Sequence, residues 1–265
     1  MKVFVLISYK GSRYHGWQRQ TNTANTVQQI VEEQLTKVLK YKCIISGCGR
    51  TDAGVHASQF YFHFDLRSEL DFDLCFRMNL ALPDDIVFLK LFEVGETNNA
   101  RFDAIQRIYN YHFHCSPNPF ISDISFYQSR ELDFSRMLKC LKIIEGQRDF
   151  KNFCKQPDKH KTTICHITSV KLFKSENGSR YRFEISANRF LRGMIRIIVS
   201  RLFAVGEGRL SIEAFEKSFI EHLPINIKTA YPQGLFLSKV QYPFISEDPN
   251  APSSDVQFIR WKKVD

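Results

Sequence analysis

The stretch Gly49-Arg50-Thr51-Asp52-Ala53-Gly54-Val55-His56-Ala57, running on into Ser58-Gln59-Phe60-Tyr61-Phe62-His63-Phe64-Asp65, decides how this chain is read. Apart from Val55, its first nine residues are small, hydroxylated or ionisable, and glycines flank an Arg-Thr-Asp triplet. That composition predicts a tight loop where the backbone bends sharply or closely approaches a ligand. Loops of this kind commonly carry functional groups. The continuation alternates: Phe60, Phe62 and Phe64 point one way, while Gln59, Tyr61, His63 and Asp65 point the other, as in a strand. A lone aspartate in a Gly-rich turn ordinarily serves as a turn former or helix cap. Whether Asp52 does more depends on its company.

Outward from this point, strands and helices alternate. Residues 3–9 place Val3, Val5, Ile7 and Tyr9 on one face of a strand. Thr26-Val27-Gln28-Gln29 has the form of a capping box. It opens a helix with the apolar stripe Val27, Ile30, Val31, Leu35, Val38 and Leu39. Strands are expected over 43–47 and 58–65, then a helix over 71–80 and a strand over 86–93. The second half repeats that order without repeating the sequence. It predicts a strand at 107–114, a helix at 133–145, strands at 163–173 and 179–187, a helix at 190–204 and a last strand at 235–241. The polar turn holding Gly95, Glu96, Asn98 and Asn99 marks the boundary. The expected fold class is α+β. Two similar αβ halves, 1–98 and 99–245, form a composite, mostly antiparallel sheet with a central cleft. Residues 246–265 make a polar, Pro-rich tail expected to wrap the surface or move, with Phe258, Ile259 and Trp261 able to dock.

With 265 residues, 43% of them hydrophobic and 24 of them Phe, the chain can fill a substantial core, which excludes a disordered protein. It holds no run of about 18 apolar residues, so no spanning helix is expected. Val3–Ile7, five apolar residues, are too few for a signal-peptide core. Lys and Arg exceed Asp and Glu by 37 − 28 = 9, which suits a polyanionic partner but does not separate RNA, DNA and an acidic membrane. Seven cysteines without C-x-x-C spacing read as reduced cytosolic thiols. Cys154, His160, Cys165 and His166 fit no common zinc spacing, so no metal is expected.

Four further segments hold residues suited to a nucleic-acid site. In Tyr9-Lys10-Gly11-Ser12-Arg13-Tyr14-His15-Gly16-Trp17-Gln18-Arg19-Gln20, aromatic and basic residues interleave with glycines. That suits base stacking and phosphate contact, although an ordinary loop can have the same form. Arg101-Phe102-Asp103-Ala104 leads to Arg107-Ile108-Tyr109-Asn110-Tyr111, where a strand projects Arg107, Tyr109 and Tyr111 from one face. Within Ala187–Ile198, a helix would put Arg189, Arg192 and Arg196 on one face and Leu191, Ile195, Ile198 and Leu202 on another. Pro232-Gln233-Gly234-Leu235-Phe236-Leu237 reads as a turn into a buried strand. After Asp149-Phe150 come Lys151, Lys155, Lys159 and Lys161, which either track an RNA backbone or form a solvated charge run.

In order and spacing, these segments over residues 3–243 resemble the TruA-type tRNA pseudouridine synthases. The nine-residue loop is similar to the family signature. The resemblance implies that Asp52 is the catalytic carboxylate and that Arg50 helps to extrude the target base. Tyr9–Gln20 is similar to the family's Tyr-Asp-Gly-x-x-Tyr/Phe-x-Gly-Trp-Gln pattern, with Lys10 in place of the acidic residue. Tyr109, first tyrosine of Arg-x-Tyr-x-Tyr, is implied to stack on the uracil and assist proton removal. Arg196 matches the arginine of Phe-Leu-x-x-Met-Val-Arg that pairs with the carboxylate, while Ser200 and Arg201 stand where the family has Gly and a small residue. Leu235, in Gly-Leu-x-Leu, is implied as an apolar contact to the base. Tyr14, Trp17, Gln18, Thr51 and Arg107 are expected to bind substrate.

The resemblance further implies an RRM-like duplication whose cleft binds RNA. The implied activity is isomerisation of uridine to pseudouridine in the anticodon stem-loop of tRNA, at positions thirty-eight to forty, by a cytoplasmic homodimer. The expected partner is the anticodon arm of tRNA, with no DNA and no membrane. The reaction breaks N1–C1′, turns the base and joins C5 to C1′. It needs no redox change and no group donor, so no cofactor is expected. One ionised carboxylate can act as nucleophile or base, a neighbouring Arg keeps it ionised, and the base must first leave its stack. Two alternatives are a paralogue acting on other uridines or another RNA, and a non-catalytic RNA-binding protein of the same fold. A phosphate-binding transferase is disfavoured, because the loop lacks P-loop and dinucleotide-binding spacing.

Overall fold

In the computed structural model, which describes residues 1–221, 227–246 and 260–265, alternation and capping place the elements close to their expected positions. In chain order they are β1 (Lys2–Tyr9), α1 (Val27–Leu39), β2 (Ser46–Gly47), β3 (His56–Asp65), α2 (Leu74–Ala81), β4 (Ile86–Val94) and β5 (Gln106–His114). Then follow β6 (Phe126–Tyr127), α3 (Phe134–Gly146), β7 (Ile167–Ser175), β8 (Arg180–Ala187), α4 (Met194–Gly206), α5 (Ile212–Lys217), β9 (Leu235–Gln241) and β10 (Trp261–Lys263). The chain divides into two units, Met1–Ile105 with Phe236–Ser254 and Gln106–Leu235 with Asp255–Asp265. Both are α+β, and their strands pair mostly antiparallel.

The first unit's strands run β9-β3-β1-β4. β1 is antiparallel to both neighbours, with Val5 opposite Phe62 and Leu91. Val3–Ile7 form an unbroken apolar run because a central strand is covered on both faces. One face packs Trp17, Phe60, Phe62 and Phe88 together. On the other face, Tyr61 and Phe4 meet Tyr242, whose hydroxyl donates to Ala100 O. Thr26 caps α1 as anticipated, accepting the Gln29 N–H at 3.4 Å. Gln29 does not complete the box, because the Thr26 N–H donates to Ala24 O instead (3.0 Å). Of the strand expected at 43–47, only Ser46 and Gly47 pair with β3. The reason is local: Cys43 N–H donates to Thr36 Oγ1 (3.2 Å) and Ile45 N–H to Glu32 Oε1 (3.1 Å), so α1 side chains satisfy this backbone. β9 lies parallel to β3, with Phe236 opposite His56 and Leu237 opposite Ala57. A strand that sequence order attaches to the second half thus pairs in the first unit.

The second unit's strands run β10-β7-β8-β5. Phe113, Tyr181, Phe134 and Phe203 pack α3 and α4 against one face. The helix expected over 190–204 begins only at Met194, because Gly193 is left-handed at φ 72°. This corrects the expected basic face: Arg189 and Arg192 precede the helix and share no helical face with Arg196. α5 and β6 were not anticipated; Ser211 caps α5, and Phe215 and Phe219 anchor it against Phe153. At the unusual positions in α4, Ser200 donates to Ile197 O. Arg201 is half-buried, donating to Ser218 Oγ (3.0 Å) and Asn152 O (2.9 Å) over the Phe153 ring (4.0 Å). Burial pushes its pKa down to about 10, and it is still protonated at neutral pH. From the tail, Trp261–Lys263 pair with β7, while Phe258 and Ile259 lie outside the described residues. Among the described residues, no helix is long and apolar enough to cross a membrane.

Candidate active site

Two loops of the first unit interlock around Asp52. Residues 10–18 lie against 49–55 through Trp17 N–H to Thr51 O (3.3 Å) and Gly54 N–H to Tyr14 O (3.1 Å), while Val55 N–H closes the turn on Asp52 O (3.1 Å). Two glycines permit this approach. A Cβ on Gly11 would fall 1.9 Å from Val55 O, and one on Gly16, at φ +86°, would fall 2.4 Å from Thr51 O. Below them His56 is fully buried, stacked on Phe236 (4.4 Å), and accepts the Gly11 N–H at Nδ1 (3.0 Å). In the neutral ring that bond places the hydrogen on Nε2. Tyr9 Oη and Thr51 Oγ1 are 2.9 Å apart. Asp52 is therefore a partly exposed carboxylate on a turn fixed from both sides. Gly11→Ala is expected to lower stability by about 1–3 kcal/mol, the range for overpacking. Urea unfolding measures it, and an unchanged midpoint would show that the close approach is dispensable.

Arg50 is exposed, and its Nε donates to Gln18 Oε1 at 3.2 Å. Gln18 Nε2 donates to Gln28 Oε1 (2.7 Å), and Gln28 Nε2 donates to Glu32 Oε1 and Ile45 O, each at 3.1 Å. Glu32, 5% exposed, also accepts from Ile45 N–H and from Arg19 Nη1 (2.7 Å). A satisfied polar chain thus leads from inside α1 to the Arg50 side chain, and such networks fix one geometry. Gln28 and Glu32 were not among the expected site residues. The available signal was two polar side chains at i, i+4 spacing beside Val27, Val31 and Leu35.

The rings expected to stack a base are committed elsewhere. Trp17 is 1% exposed, with its centroid 4.0 Å from that of Phe60. Tyr14 is buried, its hydroxyl donates to Asp85, and Arg13 Nε holds the same carboxylate at 2.7 Å. Burial, then the bond to Asp85, pushes the Tyr14 pKa up. These side chains hold the loop.

In the second unit, Arg107 and Tyr109 stand two residues apart on β5 and so share one face. Phe190 meets Tyr109 edge-on at 5.2 Å, and Arg107 Nη1 donates to Asn188 O (2.8 Å). Tyr111 is fully buried and donates to Tyr231 O (2.9 Å); burial pushes its pKa up, against the opposing charge of Arg196. Arg196 is partly exposed in the first turn of α4, and its Nε donates to Ala230 O (2.7 Å) while Ala230 N–H returns to Arg196 O (3.1 Å). That exchange ties α4 to the segment carrying Gly234, where a Cβ would lie 2.9 Å from the Tyr111 ring, and the buried Leu235. The first unit thus gathers Tyr14, Trp17, Gln18, Arg50, Thr51 and Asp52. The second supplies Arg107, Tyr109, Arg196 and Leu235.

Residues 141–243 match a family model described as tRNA pseudouridine synthase. Across 246 residues the chain is 37% identical to tRNA pseudouridine synthase A of Porphyromonas gingivalis, with 91% of this chain and 97% of that one covered. It is 36% identical to the protein of that name in Bacteroides thetaiotaomicron, with 91% of each chain covered. The identity is 35% to the one in Listeria monocytogenes, covering 89% of this chain and 97% of the other.

Proposed function

The chain belongs to the tRNA pseudouridine synthase A family, and with that as premise we propose that it isomerises uridine to pseudouridine in tRNA. The observation that carries this reading is the match over 91% of the chain at 37% identity. We place the target in the anticodon stem-loop, at positions thirty-eight to forty, and the active form as a cytoplasmic homodimer holding the anticodon arm.

Within this reading Asp52 is the catalytic carboxylate, and Arg196 supplies the positive charge that keeps it ionised. Tyr109 stacks on the uracil and assists removal of the C5 proton, Leu235 lines the base, and Arg50 takes the place of the extruded base. Thr51, Gln18 and Arg107 serve the substrate side, with Tyr14 and Trp17 as supports. The N1–C1′ bond breaks, C5–C1′ forms, the proton on C5 leaves and N1 gains one. Uridine's atoms all reappear in the product, so no donor or oxidant enters the balance. In functional terms, residues 1–98 carry the carboxylate loop and residues 99–245 complete the uracil pocket, as an RRM-like duplication with an RNA-binding cleft would require. What supports these roles is the family match together with the fixed loop around Asp52.

The test is incubation of the purified protein with unmodified tRNA transcripts, followed by chemical mapping of pseudouridine. Conversion is expected in the anticodon stem-loop. No conversion in any transcript would overturn the activity, and conversion only elsewhere would overturn the position.

A further inference from the structure

Several arginines of this protein are held by carboxylates: Arg13 by Asp85, Arg19 by Glu32, and Arg130 and Arg209 by Glu207. Arg192 is held differently. Its Nη1 donates to the neutral amide of Gln156 (3.2 Å). A guanidinium oriented by an amide keeps its whole charge for an external anion, whereas one oriented by a carboxylate is largely neutralised.

The surroundings of Arg192 are built to a fixed shape. Lys155 N–H donates to Arg192 O at 2.9 Å, joining the 151–161 turn to the segment before α4. Gln156 is left-handed (φ 54°, ψ 60°), a conformation that a residue with a side chain adopts only when its neighbours impose it. Gly193, also left-handed, lets the Lys155 stem pass over it; a Cβ there would lie 3.2–3.4 Å from Lys155 Cγ, Cδ and Cε. The Lys155 and Arg192 side chains are exposed, and so are those of Lys151, Lys159 and Lys161. Among the described residues none of these five makes an ion pair. Asp149 accepts instead from Lys151 N–H (2.9 Å) and Thr163 Oγ1 (2.6 Å), which leaves Asp158 as the acidic residue within 151–161. A merely solvated charge run requires neither the left-handed Gln156 nor the backbone bond between the segments.

We propose that Lys155 and Arg192 form a clamp for an RNA phosphodiester, with Gln156 as the residue that orients the guanidinium. The clamp contributes affinity and register rather than base selection, since phosphate oxygens carry no sequence information. The identity of the RNA as tRNA rests on the function proposed above.

The experiment measures tRNA binding by the full-length protein across a salt series, alongside turnover at saturating tRNA. Lys155→Ala and Arg192→Ala are each expected to weaken binding about tenfold at low salt and to lower the slope of log affinity against log salt by about 0.7–0.9. Turnover at saturating tRNA stays at the wild-type rate. Gln156→Gly removes no charge and relieves the left-handed residue, yet it is expected to weaken binding severalfold with the salt slope kept. Wild-type affinity and slope in both Ala variants would overturn the clamp, and wild-type affinity in Gln156→Gly would overturn the orienting role. Binding reads the clamp whether or not the RNA is converted. Absence of turnover in the unaltered protein counts against the functional reading alone.

Discussion

Asp52→Asn is expected to lower turnover of unmodified tRNA by roughly 10³–10⁴-fold, towards the upper end of what a positioned acid–base group contributes. Asparagine keeps the shape of the side chain but neither carries the charge nor accepts a proton. The turn that presents residue 52 is held by bonds of Trp17 N–H, Gly54 N–H and Val55 N–H to backbone oxygens, none of which uses the carboxylate. The variant is therefore expected to fold normally and to bind tRNA close to the wild-type level. Single-turnover pseudouridine formation, with binding measured in parallel, separates the two quantities. Turnover retained within tenfold of wild type would remove Asp52 from the chemistry.

Arg196→Ala is expected to cost about 10²–10³-fold in the same assay, the scale for losing one preorganised charged donor. Arg196→Lys keeps a charge but not the guanidinium geometry that reaches Ala230 O, and an intermediate rate is expected. A rate unchanged in Arg196→Ala would break the proposed partnership with Asp52.

Much of the framework was legible because it rests on local rules. Alternation in Val3–Tyr9 and Phe60–Phe64 gave β1 and β3, and Thr26 gave the start of α1. The remainder depended on partners far along the chain. Nothing near residue 236 tells that Phe236 will lie beside His56 in a parallel pair. Interleaved aromatics in Tyr9–Gln20 suit both stacking on a base and packing in a core, and only the contact of Trp17 with Phe60 decides between them. The sequence places Gly193 inside a helix because a pattern of basic residues at i, i+3 and i+7 is indifferent to backbone handedness. Gln28 and Glu32 carry little functional signal in the sequence, because a buried polar pair becomes meaningful only once Gln18, Arg19 and Ile45 have arrived to satisfy it.

The return of β9 to the first unit has a consequence in time. A ribosome makes Asp52 first, but the Phe236 ring beneath His56 and the Tyr242 hydroxyl on Ala100 O are made about 180 and 190 residues later, respectively. Until then β3 lacks its parallel neighbour, and the layer under the Asp52 loop is open on that side. A nascent chain stopped before residue 236 would hold the whole signature, in order and in sequence, without the floor it rests on. Completion of the carboxylate loop is thereby deferred until the entire 106–235 segment has been made.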